Sequence, residues 1–133
     1  MDAVTRALVR ERAGDRCEYC HLRQEHLPFH RFHIEHIVPR QHGGGGDIAN
    51  LALSCHHCNL HKGPNLTGVD PETGEVVRLF HPRRDRWDDH FAILGAMVIG
   101  RTPAGRATAR VLRMNSADRV ALRIALLTGG ELP

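Results

Sequence analysis

The chain has 133 residues and a formal net charge of +3, and it contains only one Trp, one Tyr and four Phe. This length suits a single domain with a modest core, so we expect a further source of stability such as a bound metal ion. No apolar run is long enough to cross a bilayer, and the charged N-terminal residues lack a signal-peptide core, so a cytoplasmic protein without a membrane partner is predicted. The weak positive charge permits a nucleic-acid partner without requiring one.

The first element is a predicted helix over residues 2–13. Asp2 can cap its start, and Gly14 suits the position just beyond its end. Its apolar face would comprise Val4, Leu8 and Val9. The CEYC segment at residues 17–20 then predicts a tight turn that presents two thiols, and residues 21–30 are predicted to form a loop.

Residues 32–63 predict a strand, a loop, a second strand and a helix. Apolar residues alternate over 32–37 until Pro39 ends the strand, and four glycines at 43–46 require a loop. Residues 51–54 predict the second strand. The helix over residues 55–62 is stopped by Gly63 and the proline that follows it.

The second half predicts a hairpin followed by two helices. The turn sequence DPETGE separates residues 66–69 from 76–80, and the charged residues 81–90 are predicted to form a surface loop. Residues 91–99 predict one or two short strands interrupted by Gly95. Helices are expected from Pro103 to about Met114 and from Asn115 or Ser116 to just before Gly129, the latter with an apolar stripe of Val120, Ile124 and Leu127.

These elements predict an α+β fold in which a metal-stabilised core over residues 1–63 carries a C-terminal extension. Residues 64–133 would supply the hairpin and helices packed on that core, within the same domain, because no linker separates the two parts.

The four cysteines form two CxxC pairs, Cys17 with Cys20 and Cys55 with Cys58. Each pair can hold one side of a tetrahedral ion, so together they predict a closed, structural zinc site. Two disulfides or four free thiols are the alternatives, and an intracellular environment disfavours the disulfides.

The region between the two CxxC pairs carries the most informative motif, and residues 31–62 read RFHIEHIVPRQHGGGGDIANLALSCHHCNLHK. This order of an acid–His pair, a glycine loop ending in Asn, and a CxxC followed by Asn resembles the HNH endonuclease family with its ββα-metal motif. The letters of the name fall on His36, Asn50 and Asn59, with Asn replacing the last His. Glu35 stands where Asp is more usual, and the resemblance covers about residues 17–63.

The residue types suit phosphodiester hydrolysis. His36 is a suitable general base because an unperturbed imidazole titrates near neutrality. Glu35 and Asn59 offer oxygen ligands for a hard divalent cation, with Mg²⁺ as the default. The resemblance implies that Asn50 ties down the glycine loop and helps to orient the His36 imidazole.

Basic residues near the motif and on a later helix are candidate nucleic-acid contacts. Arg40 follows the predicted active segment and Lys62 ends the short helix, so both could meet phosphates. A helical stripe of three arginines could track a nucleic-acid backbone or could simply be solvated; it comprises Arg106, Arg110 and Arg113.

The sequence therefore predicts a metal-dependent endonuclease acting on DNA. A non-catalytic, zinc-dependent nucleic-acid-binding module is the main alternative, although it would have no need of Glu35, His36 and Asn59 together. The second alternative is a nuclease that acts on RNA or serves as a protein toxin. The sequence identifies no protein partner.

Overall fold

The structure is a computed structural model that describes residues 1–132, and it has the α+β character that the sequence predicts. Within these residues, three separate antiparallel strand pairs lie among five α-helices. The strands are β1 (His33–His36), β2 (Leu51–Ser54), β3 (Thr67–Val69), β4 (Val76–Arg78), β5 (Phe91–Leu94) and β6 (Met97–Gly100). The helices are α1 (Ala3–Ala13), α2 (His56–Lys62), α3 (Trp87–His90), α4 (Pro103–Val111) and α5 (Ala117–Thr128).

Helix α1 begins and ends where its capping residues predict. The Asp2 carboxylate accepts a hydrogen bond from the Thr5 backbone N–H at 2.8 Å, and Gly14 ends the helix with a φ of +64°. The predicted apolar face was partly wrong, because Val4 and Leu8 are exposed and Val9 is fully buried. The helix therefore meets the core through little more than one side chain.

Strands β1 and β2 and helix α2 form a ββα unit. The strands pair so that Glu35 lies opposite Ala52 and His36 lies opposite Leu51. All four residues of β2 are buried, and α2 follows at once with Cys55 as its cap. The buried second strand and the helix therefore form the base against which β1 is held.

The hairpin β3–β4 is locked to α4 by a buried carboxylate. Asp70 is fully buried in the turn, where it accepts hydrogen bonds from the Glu72 backbone N–H, the Thr73 hydroxyl and both ends of the Arg106 guanidinium. These bonds, with the guanidinium as the main one, hold the pKa of Asp70 well below its usual range.

The apolar face predicted for α5 was partly wrong, because only Val120 and Leu127 of its three residues are half-buried. Ile124 is 53% exposed, and the face that meets the core centres on Arg123 and Leu126. The Arg123 guanidinium donates to the Ala96 carbonyl at 3.1 Å and to the Met114 carbonyl at 2.7 Å. Buried backbone carbonyls need hydrogen-bond donors, and Arg123 supplies two of them. The side of α5 that carries Arg123 therefore faces the interior, and Ile124 does not.

Residues 81–90 are more than a surface loop, because they also hold the first CxxC turn in place. They include α3, and the Trp87 indole N–H donates to the Tyr19 carbonyl at 2.8 Å while the indole ring stacks on the His21 ring at 4.0 Å. Arg83 forms an ion pair with Glu18. The buried core accordingly contains residues from both halves of the chain, such as Cys17 and Phe80. Within residues 1–132, no helix is both long enough and apolar enough to cross a membrane.

Candidate active site

The four cysteines are brought together at one buried point. Cys17 and Cys20 come from the turn after α1, whereas Cys55 and Cys58 come from the start of α2. Their sulfur atoms all lie within 4.8 Å of one another, and the Sγ atoms of Cys20 and Cys55 are 3.8 Å apart. Two sulfurs held about 2.3 Å from one tetrahedral ion would lie about 3.8 Å apart. The donor set therefore fits zinc.

The four thiols also perturb one another's ionisation. Hydrogen bonds from the three other cysteines lower the pKa of Cys55, because they stabilise its thiolate. Hydrogen bonding to neighbouring sulfurs, together with burial, raises the pKa of Cys20 and Cys58 well above that of a free thiol. Without a cation, four sulfurs this close cannot all be ionised, so a divalent ion relieves a real electrostatic conflict.

Glu35 points into the protein. It is 7% exposed, its Oε1 accepts a hydrogen bond from the Tyr19 hydroxyl, and its Oε2 lies 3.8 Å from Lys62 Nζ. Burial raises the pKa of Glu35 to about 7, although the Lys62 charge and the Tyr19 hydrogen bond oppose the shift. A carboxyl in this state gains stability from any further positive charge that reaches it.

Lys62 does not occupy the position predicted for a phosphate contact. It is 2% exposed, and its ammonium donates to the Ile37 carbonyl at 3.0 Å beside Glu35. Burial lowers the pKa of Lys62, with Glu35 opposing the shift. The last turn of α2 points this side chain inward, so it supports the strand that carries Glu35 and His36 and is shielded from a substrate.

His36 has a buried nitrogen without a partner. Its Nε2 is enclosed yet makes no hydrogen bond within the described residues. Such groups are rare in folded proteins, because burying an unpaired polar atom is unfavourable. They are found where a water, an ion or a ligand supplies the missing hydrogen bond. Strand β1 ends at His36, which allows this side chain and that of the neighbouring Glu35 to reach the same space.

That space is a cavity of about 360 Å³ at the meeting of β1 and α2. Glu35, His36 and Asn59 all contribute to its wall, and Arg40 lies at its side. Asn59 is partly buried on the first turns of α2, and its side chain makes no hydrogen bond within residues 1–132, so the amide is available. An acid, an imidazole and an amide thus share one small cavity.

Asn50 fastens the glycine loop to the end of β1. Its Oδ1 accepts from the Val38 N–H at 2.9 Å, and its Nδ2 donates to the Val38 carbonyl at 3.0 Å and to the Gly45 carbonyl at 2.8 Å. A side chain at Gly44 would collide with the Val38 carbonyl, so the loop can lie this close only as glycine. The described structure has no hydrogen bond between Asn50 and His36, so any influence on the imidazole passes through the backbone at Val38.

The predicted arginine stripe on α4 is not continuous. Arg106 is held by Asp70, at 2.9 and 2.8 Å, and by Glu72, at 2.6 Å. Helix α4 ends at Val111 rather than near Met114, so Arg113 lies beyond it with a φ of +49°. Only Arg110 is both helical and exposed, and the helical register that motivated the stripe is lost.

Sequence reasoning missed the residues that support the carboxylate. Tyr19 lies between the first two cysteines, and nothing in its local pattern indicates that it will reach a residue of β1. Its hydroxyl joins the turn of the cysteine cluster to the wall of the cavity through Glu35. The only available signal was the presence of a lone Tyr inside a CxxC pair, which is too weak to assign a contact.

The comparisons with known proteins identify the same segment. Residues 17–65 match the family model of the HNH endonuclease. No curated protein and no solved structure matched the chain. The matched segment contains all four cysteines, the ββα unit and the cavity that Glu35, His36 and Asn59 line. Residues 17–65 of this chain are therefore similar to the HNH endonuclease domain, and the match covers the segment that holds the cysteines and the cavity.

Proposed function

We propose that the protein is a metal-dependent endonuclease that hydrolyses phosphodiester bonds in DNA. The observation that carries the proposal is the single cavity lined by Glu35, His36 and Asn59, with the unpartnered nitrogen of His36 buried beside it. The similarity of residues 17–65 to the HNH endonuclease domain supports a nuclease class, and the arrangement in the cavity supports hydrolysis by a positioned base.

His36 is the proposed general base. One imidazole nitrogen removes a proton from the attacking water, and the unpartnered Nε2 leaves the ring free to gain a partner when substrate or water enters. The ring is carried by the last residue of β1, whose following backbone is pinned by Asn50. Asn50 is therefore proposed as a positioning residue, because it fixes the chain just beyond the base.

Glu35 and Asn59 are the proposed ligands of a divalent ion, Mg²⁺ by default. When bound, the ion supplies Lewis-acid stabilisation to the phosphate and the departing oxygen. Tyr19 and Lys62 hold the Glu35 carboxylate in one orientation, as outer partners of metal ligands commonly do. Arg40, exposed at the side of the cavity, is proposed to contact a substrate phosphate.

The four cysteines are proposed to hold a zinc ion whose role is structural. Cys58 directly precedes Asn59, so the ion that fixes the start of α2 also fixes the amide in the cavity. Four thiolates leave no open position for a substrate, which separates this ion from the chemistry.

A non-catalytic module that binds nucleic acid is the competing function. It is disfavoured because a buried carboxyl with a raised pKa beside an unpartnered imidazole costs stability and serves no purpose in simple binding. The direct experiment is incubation of purified protein with supercoiled plasmid, and in parallel with RNA, with and without Mg²⁺ or Mn²⁺. Cutting of plasmid only with the divalent ion is expected; cutting of RNA alone would change the substrate, and no cutting of either would favour the binding module.

Metal titration of cavity variants should distinguish the ligands from the base. Glu35→Gln and Asn59→Ala are each expected to shift the Mg²⁺ concentration for half-maximal cleavage upward by about 10- to 100-fold, because each removes or weakens a ligand. Glu35→Gln preserves the shape of the buried side chain beside Lys62, which Glu35→Ala would not. Plasmid nicking measured across Mg²⁺ concentrations gives the curves.

Two further observations complete that test. Brief treatment with dilute EDTA should stop cleavage without changing the thermal melt, because four thiolates retain their ion far longer than one carboxylate and one amide. Addition of Mg²⁺ should then restore cleavage. Unaltered metal dependence in both variants would mean that the ion has been assigned to the wrong residues.

A further inference from the structure

A groove lies between α1 and the start of β1, on the side of the protein next to the cavity. It has a volume of about 670 Å³. Its helical wall is formed by residues three and four apart, Ala3, Arg6, Ala7 and Arg10, which share one face of α1. Alanines alternate with arginines on this face, and the small alanine side chains leave room for a channel between the helix and the start of β1.

The groove carries an excess of positive charge. Its lining includes Arg6, Arg10 and Arg31 and no acidic residue. Burial lowers the pKa of Arg10, and the charges of Arg31 and Arg6 lower it further, whereas the charge of Asp15 opposes the shift. The Arg10 guanidinium donates to the Phe32 carbonyl at 2.7 Å, and this bond holds its charge along the wall of the groove. The exposed Asp15 carboxylate lies 3.8 Å from the same guanidinium.

Arg6 and Arg31 differ from the arginines that support the fold. Within residues 1–132, neither guanidinium has a hydrogen bond or an ion pair, and both are exposed. Arg83, by contrast, pairs with Glu18, and Arg106 pairs with Asp70. Concentrated, unpaired arginines on a concave surface suit an anionic partner that presents several charges in a row.

The groove adjoins the cavity. Ile34 lies in the wall of both, with His33 on the groove side and Glu35 and His36 on the cavity side. Arg31 lies five positions before His36, and five steps of extended chain span on the order of 16 Å, which corresponds to roughly five nucleotides of one strand in a B-form duplex. The exposed Arg40 lies at the cavity, away from the groove.

We propose that this groove, lined by Arg6, Arg10 and Arg31, binds the phosphodiester backbone of the DNA substrate on one side of the bond that is cut. The proposal rests on the proposed function, since it assigns the substrate of the same cavity. Arg6 and Arg31 contact phosphates directly, whereas Arg10 is held to the Phe32 backbone and contributes charge. These contacts carry no sequence information, and they set the direction in which the strand crosses β1.

The test compares two pairs of substitutions with equal loss of charge. The groove variant is Arg6→Gln with Arg31→Gln, and the control is Arg84→Gln with Arg86→Gln, two exposed arginines from the segment before α3. All proteins also carry His36→Ala so that a short, labelled DNA duplex stays intact while its binding is measured by fluorescence anisotropy. Salt is varied from about 50 to about 200 mM, the range over which phosphate contacts dominate the response.

The groove variant is expected to raise the Kd on the order of tenfold at the lower salt concentration and to reduce the slope of log Kd against log salt by about two, one for each phosphate contact. The control should leave the slope nearly unchanged. If the double substitution disturbs the thermal melt, the single substitutions Arg6→Gln and Arg31→Gln are each expected to reduce the slope by about one.

The two proposals fail in different ways. If protein with His36 intact cuts plasmid, but the groove variant binds DNA as tightly and with the same salt dependence as the control, the groove assignment is overturned and the nuclease assignment stands. If the protein neither cuts nor binds nucleic acid, the proposed function fails and the groove assignment fails with it.

Discussion

Cys55→Ser is expected to prevent binding of the zinc ion proposed at the four cysteines and to leave the protein largely unfolded at room temperature. Zinc held by such sites supplies about 10–16 kcal/mol of apparent binding energy, which is as large as the about 5–15 kcal/mol that stabilises a typical domain. Cys55 also caps α2, where its sulfur accepts from the Cys58 N–H at 3.4 Å. The measurements are zinc content by elemental analysis, far-ultraviolet circular dichroism and a thermal melt.

Leu60→Ser is the matched control for that variant. It introduces the same residue into the same helix, at a position 63% exposed and outside the cysteine cluster. It should retain one zinc per chain and melt within a few degrees of the parent, since an exposed substitution typically costs little. Purified parent protein without zinc, or a Cys55→Ser melt equal to that of the parent, would contradict the assigned metal site.

His36→Ala is expected to lower the rate of plasmid cleavage on the order of 10²- to 10⁴-fold, because it removes the proposed base. Its zinc content and melting temperature should stay close to those of the parent, since the imidazole makes no hydrogen bond within the described structure that the fold would lose. Extra Mg²⁺ should not restore the rate, in contrast to variants of the proposed ligands. Initial rates of nicking at saturating Mg²⁺ give the comparison.

His30→Ala serves as the control for the imidazole itself. His30 is exposed and stacks on His56 at 4.4 Å, outside the cavity that holds His36. Cleavage by this variant should stay within about twofold of the parent, because a surface side chain away from the reacting atoms contributes little. Equal cleavage by His36→Ala and the parent would remove His36 from the role of base.

Local signals were sufficient to predict most of the elements. Asp2 and Gly14 delimit α1, the turn sequence at 70–75 separates β3 from β4, and Gly95 separates β5 from β6 with a φ of +60°. These features depend on backbone preferences of a few neighbouring residues, so they can be read directly. The approach of the two CxxC segments could also be predicted, because two such pairs together suit one tetrahedral ion.

The contacts between distant segments could not be predicted from such signals. From the sequence, Lys62 is expected to be an exposed basic residue at the end of a helix. It instead lies beside Glu35, because the last turn of α2 points this side chain inward. Arg123 reads as the polar face of α5, yet it supplies hydrogen bonds to two carbonyls in the interior. In each case a buried polar group required a partner, and tertiary packing determined which side chain would provide it.

The position of Trp87 gives the protein an optical reporter of its own. It is the only Trp in the chain, and its indole stacks on His21 and donates to the Tyr19 carbonyl beside the first two cysteines. The intrinsic Trp fluorescence therefore reports on the environment of this one turn, since no other Trp contributes to the signal. A chelator titration followed by Trp emission should register loosening of the zinc turn before, or together with, the loss of helical dichroism, without any label being attached.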